Sequence, residues 1–376
     1  MNRNLLFVAA ALFLWGFGEG MFFNFQPIYL ERLGSDPQQI GLILGAFGAA
    51  MAVSHIPAGY LADRFGRRPL LFAAWGLGIL STFVMGYARE LPLFVVGMLG
   101  YGLTIFVSSP LSSYVTSARG KWSVARALTL VTATFSYGMV LGPVTGGWLG
   151  EVFGLRSVYF VATGVFILST AFILFIERQP VDNHDPDNPP VSVFKNRTFI
   201  GFLVIVTFGI FAMFLAQPLT PNYLEGARGL SLKQTGFIFT MGALGNAWIS
   251  VQLGKADPKR GLLVAHFLVA CFVFLIWLGV SLPYYAMGYF LLGGYRAFKP
   301  LTMAKARGLV HDSQMGLMYG TMETVGAVIF IIAPPIAGFL YEPNPAFVYP
   351  LSLGLLLVSV ILIYFFTPKE YTARLD

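Results

Sequence analysis

Read for hydrophobic and polar positions, the chain is a series of long apolar runs separated by short clusters of charged and turn residues. Twelve runs stand out, at 5–28, 38–61, 69–88, 91–116, 124–149, 157–176, 199–222, 232–254, 261–281, 284–306, 315–340 and 346–366. Each is close to the roughly 20 apolar residues that one helix needs to cross a bilayer. None alternates apolar and polar positions as a membrane-spanning strand does. Lipid offers no partner to an unpaired backbone group, so the runs are predicted to be helices. The expected fold class is therefore an all-α polytopic membrane protein with twelve transmembrane helices, numbered here as segments one to twelve. The opening Met1-Asn2-Arg3 and apolar run resemble a signal peptide, but no convincing cleavage site follows and apolar residues continue past Trp15. This stretch is read as segment one.

Composition agrees. The 376 residues are 56% hydrophobic and 11% charged, against about 25% charged in a soluble domain. So few charges cannot cover a soluble surface, which excludes soluble enzymes and intrinsic disorder. The net charge of +7 does not point to nucleic acid, because the basic residues lie between apolar runs, where they act as topology signals. Arg32, Arg89, Arg156, Arg228 and Lys233 fall on one side; Arg296 and Lys299 fall inside segment ten; all other Lys and Arg fall on the opposite side. That bias predicts both termini in the cytoplasm. Four His and the single Cys271 exclude a disulfide framework and give no expectation of a metal or other cofactor.

The least apolar stretch, 177–198, holds several Pro and acids and is read as a cytoplasmic linker between two halves, 1–176 and 199–376. The halves repeat. Tyr29-Leu30-Glu31 recurs as Tyr223-Leu224-Glu225, and Gly100-Tyr101 as Gly294-Tyr295. Gln39 and Gly41 match Gln234 and Gly236, while Pro143, Gly147 and Glu151 match Pro334, Gly338 and Glu342. The spacing stays within 191–195 residues. A duplicated six-segment unit predicts pseudo-twofold halves with a pathway between them.

Between segments two and three the chain reads Gly59-Tyr60-Leu61-Ala62-Asp63-Arg64-Phe65-Gly66-Arg67-Arg68-Pro69. Here the sequence resembles the major facilitator superfamily, whose G-x-L-A-D-R-x-G-R-R/K signature is matched at every defined position. The resemblance implies that Gly59, Asp63, Arg64, Gly66, Arg67 and Arg68 latch a cytoplasmic gate against the start of segment eleven, where Glu323 stands. The second-half copy, Gly254-Lys255-Ala256-Asp257-Pro258-Lys259-Arg260, is degenerate. Segment five carries Gly138, Gly142, Pro143, Gly146 and Gly147, which resembles an element the family associates with exporters. Small residues four apart also allow close helix crossing, and Pro143 can place a kink. One departure stands out: many proton-coupled exporters of the family carry an Arg in segment four where this chain has Val96.

Charges inside a membrane are costly and mark function. Glu19 lies in Gly16-Phe17-Gly18-Glu19-Gly20; a carboxyl in apolar surroundings can exchange a proton, and the glycines are expected to open space or let the helix flex. Arg296 and Lys299 share a face of segment ten and suit an anionic group. At about 1.5 Å per residue, Glu19 should sit roughly 20 Å from the cytoplasmic face and Arg296 roughly 12 Å. Tyr101, Gln217, Asn24 and Gln26 are further polar candidates; His55 and His266 are expected to pack. No G-x-x-x-x-G-K-S/T loop is present, so ATP drive is not expected, and no polar cluster points to an enzyme. The resemblance implies a monomeric secondary transporter of the cytoplasmic membrane that works by alternating access. Its expected partners are protons, membrane lipid and a small-molecule substrate. Proton-coupled efflux of an amphipathic or drug-like compound is the first expectation, with Glu19 as proton carrier and Tyr101, Gln217, Arg296 and Lys299 at the substrate. The alternative is symport of a small anionic metabolite.

Overall fold

The computed structural model describes residues 2–177, 193–310 and 315–368, with backbone only at 55–65, 109, 125, 193, 315 and 316. Among these residues every regular element is helical. Ten helices are long and apolar enough to cross a membrane. Segment eight, Leu232–Leu253, is helical but carries Lys233, Gln234, Asn246 and Gln252. Segment ten is divided into Leu282–Leu291 and Gly293–Arg307, the latter with Arg296, Lys299, Lys305 and Arg307. In segment eight Lys233, Gln234 and Gln252 are exposed near the helix ends and Asn246 is half-buried, whereas segment ten carries its cations along its second piece, where Arg296 acts on Glu19 of the other half.

Local sequence sets the starts of the helices. The Asp36 carboxylate accepts from the Gln39 N–H at 2.8 Å. Its counterpart Ser231 forms a reciprocal capping box with Gln234. Gly66 has φ +82°, a conformation that disfavours side chains, and this separates Pro37–Phe65 from Arg67–Tyr87.

Four segments are interrupted. Segment one passes through a 3₁₀ turn at Phe23–Phe25, and segment four through one at Thr104–Val107. Segment seven ends at Phe214 and resumes at Thr220 before a π-turn at Tyr223–Ala227. Segment ten breaks at Leu292. Irregular backbone at membrane depth is tolerated where protein or a cavity surrounds it; the interruptions of segments one and seven fall at matching places of the repeat, whereas the turn in segment four follows Gly100 and the break in segment ten precedes its counterpart Gly294.

Polar bonds tie helices within each half. The Trp75 indole donates to Ser169 Oγ at 2.8 Å, and Ser169 donates to the Ala11 carbonyl at 2.7 Å. His266 is fully buried between Leu262 O and Ser359 Oγ, each at 2.9 Å, so it packs segment nine against segment twelve.

The halves meet most closely at one end. Segment two packs on segment eleven, and segment eight on segment five. A Cβ at Gly41 would collide with the Pro334 carbonyl, and one at Gly236 with the Pro143 carbonyl. Gly338 abuts the Pro37 carbonyl, and Gly147 the Leu232 carbonyl. These are residues of the sequence repeat, and each contact is made twice in crossed fashion. The same end holds the Arg32–Glu225 salt bridge, the hydrogen bond from Asn222 to Glu31, and the Leu232 N–H bond to Glu151 at 2.9 Å. Among the described residues, all hydrogen bonds recorded between the halves lie toward this sealed end.

Candidate functional site

Glu19 is placed by segment one as it crosses segment five. Gly16 fits against the Phe135 carbonyl and Gly20 against the Gly142 backbone, while Gly18 lies on the Phe166 ring. The glycines expected to open space are therefore filled by neighbours. Close packing on those faces turns the Trp15–Glu19–Phe22 face towards segments four and six. The Tyr101 hydroxyl donates to Glu19 Oε2 at 2.7 Å. The Trp15 indole acts on the same carboxyl and stacks on Phe166, with centroids 4.2 Å apart. Tyr101 lies between Trp15, Phe22 and Phe166 and is only 4% exposed. Glu19 keeps partial solvent access deep within the helices, so it lines an interior space. Tyr101 stands behind it and holds it.

Arg296 enters from the other half. It is exposed to the interior, and its charge acts on the Glu19 carboxyl. The two form no salt bridge among the described residues, consistent with the different depths expected of them. Neighbouring Tyr295 stacks on Phe214 with centroids 5.8 Å apart, and Phe214 packs at a tilt on Phe330 at 4.6 Å. This half therefore offers one guanidinium beside an aromatic wall. Lys299 does not stand free with it: its ammonium pairs with Glu323 at 2.7 Å. Both partners are more than half exposed. The described partner of Glu323 is thus Lys299, one turn from Arg296. The Gln217 amide, in the break of segment seven, donates to the Met213 carbonyl of the same segment at 2.8 Å. Gln26 is 1% exposed, and Asn24 is half-buried.

The side chains of His55 in segment two and of Gly59, Asp63 and Arg64 in the signature loop lie outside the described residues. Arg67 donates to Ser117 Oγ at 2.6 Å. Arg68 donates to the Leu174 carbonyl at 3.3 Å and lies over Phe72. These bonds join segments three, four and six at the end opposite the sealed one. In segment five, Gly138, Gly142 and Gly146 face segment one, where an added Cβ would strike Phe13, Gly20 and Met21 backbone. Pro143 and Gly147 face segment eight.

Five residues were missed from sequence: Trp15 at the interior site, and Glu31, Arg32, Asn222 and Glu225 at the sealed end. Trp15 could have been found by its four-residue spacing from Glu19. The pairing of Arg32 with Glu225, and of Asn222 with Glu31, was signalled by the repeated Tyr-Leu-Glu, which was read as symmetry alone. Among the described residues no cluster of three or more His, Cys, Asp or Glu could hold a metal ion.

The family model for the Major Facilitator Superfamily matches residues 8–298. Multidrug resistance protein 2 of Bacillus subtilis (strain 168) is 22% identical over 376 residues, with 92% of each chain covered. Quinolone resistance protein NorA of Staphylococcus aureus (strain MRSA252) is 22% identical over 396 residues, covering 100% of this chain and 99% of its own. Among solved structures, the nucleoside transporter NupG superposes with a TM-score of 0.81 at 11% identity, covering 98% of this chain and 100% of that one.

Proposed function

The chain belongs to the major facilitator superfamily and is a multi-pass membrane transporter rather than an enzyme; from that premise we propose that it exports amphipathic, drug-like compounds in exchange for protons. The relatives named for multidrug and quinolone resistance support this direction and substrate class. The two moving bodies are residues 1–176 and 199–376, rocking about the interior space. They comprise twelve crossings in a cytoplasmic membrane, with both termini inside and the sealed end outside. The protein acts as a monomer.

The observation that carries the reading is Glu19: a carboxyl that lines the interior space, is oriented by Tyr101 and faces a cation, Arg296, from the other half. A carboxylate there can hold a proton or a cationic group of the substrate, but not both. Proton entry from outside therefore displaces the substrate, and substrate entry from inside displaces the proton. Tyr101 acts as a positioning residue. Arg296 keeps the empty carboxylate from being an uncompensated buried charge. Gly59, Asp63, Arg64, Gly66, Arg67 and Arg68 close the cytoplasmic end in the opposite state, with Lys299–Glu323 at the rim.

Proteoliposomes with a trapped pH dye test this. Lipophilic cations should trigger proton movement in the wild type, and Glu19→Gln should abolish it. Symport of a small anionic metabolite is favoured by one observation, the exposure of Arg296 to the interior, and opposed by the pairing of Lys299 with Glu323. Proton movement triggered only by anions, and lost in Arg296→Ala, would replace the first reading with this one.

A further inference from the structure

The outer face between segments seven and twelve carries a groove unrelated to the interior site. Its volume is about 470 Å³, and it is lined by Arg197, Gly201, Phe202 and Ile205 from segment seven and Leu362 and Phe366 from segment twelve. Apart from Arg197 and the adjacent Thr198, the lining is apolar. Segment seven begins at Arg197 and segment twelve ends at Phe366, so the groove opens at one membrane interface. The aromatic side chains Tyr364 and Phe366 are exposed there, as expected of a belt at headgroup depth. Lys259 lies over Tyr364 at the same level.

Two features select the occupant. Arg197 is exposed and has no hydrogen-bond or ion-pair partner among the described residues, so its planar fork is free at the mouth of the groove. From Arg197 to Ile205 the groove follows eight residues of helix, about 12 Å. One leaflet of a bilayer core is about 15 Å deep, half of roughly 30 Å. A cation at the interface above an apolar channel one leaflet deep matches a phospholipid in both parts.

We propose that this groove binds an anionic phospholipid, with the headgroup phosphate on Arg197 and one acyl chain along Gly201, Val204, Leu362 and Phe366. Its basic side is the side predicted to be cytoplasmic, where anionic headgroups would meet it. The site is independent of the substrate and of the direction of transport.

Gly201 provides a clean probe, because a Cβ there meets nothing within 4 Å and a larger side chain gains helix propensity. Native mass spectrometry of the purified full chain would be titrated with dioleoyl phosphatidylglycerol and, separately, dioleoyl phosphatidylcholine. The first phosphatidylglycerol should bind about fivefold more tightly than phosphatidylcholine, the order expected of one basic residue at an anionic headgroup. Arg197→Ala should bring the two lipids level. Gly201→Leu should weaken both, with an unchanged melting temperature showing that the fold is intact. Equal binding of the two lipids by the wild type would overturn the proposal, and so would a preference that survives Arg197→Ala. Binding of both lipids undiminished in Gly201→Leu would place the lipid elsewhere and overturn it too.

Discussion

At the sealed end, Gly41 meets Pro334 and Gly236 meets Pro143, the same contact made twice. In the interior, Glu19 and Tyr101 of one half face Arg296 of the other. There the counterparts are not equivalent. The position matching Glu19 is near Met213, which is fully buried, and that matching Arg296 is Gly102, which presses on the Phe47 ring. The difference separates two demands. Closing the end requires backbones to approach, and both halves can meet that need with glycine and proline at repeat positions. A ligand has no twofold symmetry, so the site that holds it gains from unlike charges on its two walls.

The comparison breaks most visibly at the crossed glycines. Gly41→Leu and Gly236→Leu should each destabilise the sealed state by about 1–3 kcal/mol through overpacking. Spin-label distances across that end should widen, and to a similar extent in the two variants. A strong effect at only one glycine would deny the equivalence of the two interfaces.

The interior should respond on one side only. Tyr101→Phe removes a hydrogen bond to a charged group, worth about 1.5–3 kcal/mol, so substrate-triggered proton release should slow by about tenfold or more. Substrate affinity measured at high pH, where no proton competes for the carboxylate, should change little, because Tyr101 stands behind it. Gln217→Ala removes only a bond within its own segment and should leave both quantities nearly unchanged. Stopped-flow dye measurements with equilibrium binding would separate these cases.

Smaller effects sharpen the picture at the edges. Arg32 and Glu225 are 43% and 25% exposed, so Arg32→Ala should shift the sealed state by about 1 kcal/mol or less. That shift should shrink further in high salt. Lys299→Ala breaks a pair that is 59% and 56% exposed, and its effect on transport should fall within about fivefold. If Lys299→Ala instead abolished transport of every anion tested, the anion reading of segment ten would return.

Much of this architecture was legible in the sequence, and the reasons are physical. Apolar runs of bilayer length leave helices as the only option, so segment limits fell within a few residues of those observed. Segments eight and ten were less clear, because polar residues near the ends of segment eight and cations along the second piece of segment ten dilute the apolar signal. The repeat located Gly41, Pro143, Gly236 and Pro334, but spacing along one chain does not say that segment two crosses to segment eleven. Glu19 and Arg296 stood out as charges in apolar runs. Their partners did not: Trp15 and Tyr101 are ordinary aromatics until packing turns them towards a carboxyl. The glycines around Glu19 carried a packing signal that sequence alone could equally assign to an open space.

The central claim is that Glu19 carries the exchanged proton. Its most direct test is uphill transport of a lipophilic cation in proteoliposomes bearing an imposed pH gradient, with wild type and Glu19→Gln compared. The account predicts that Glu19→Gln abolishes accumulation against the gradient while the purified protein keeps its fold. Accumulation by Glu19→Gln at the wild-type level would contradict it and leave Glu19 a structural carboxyl.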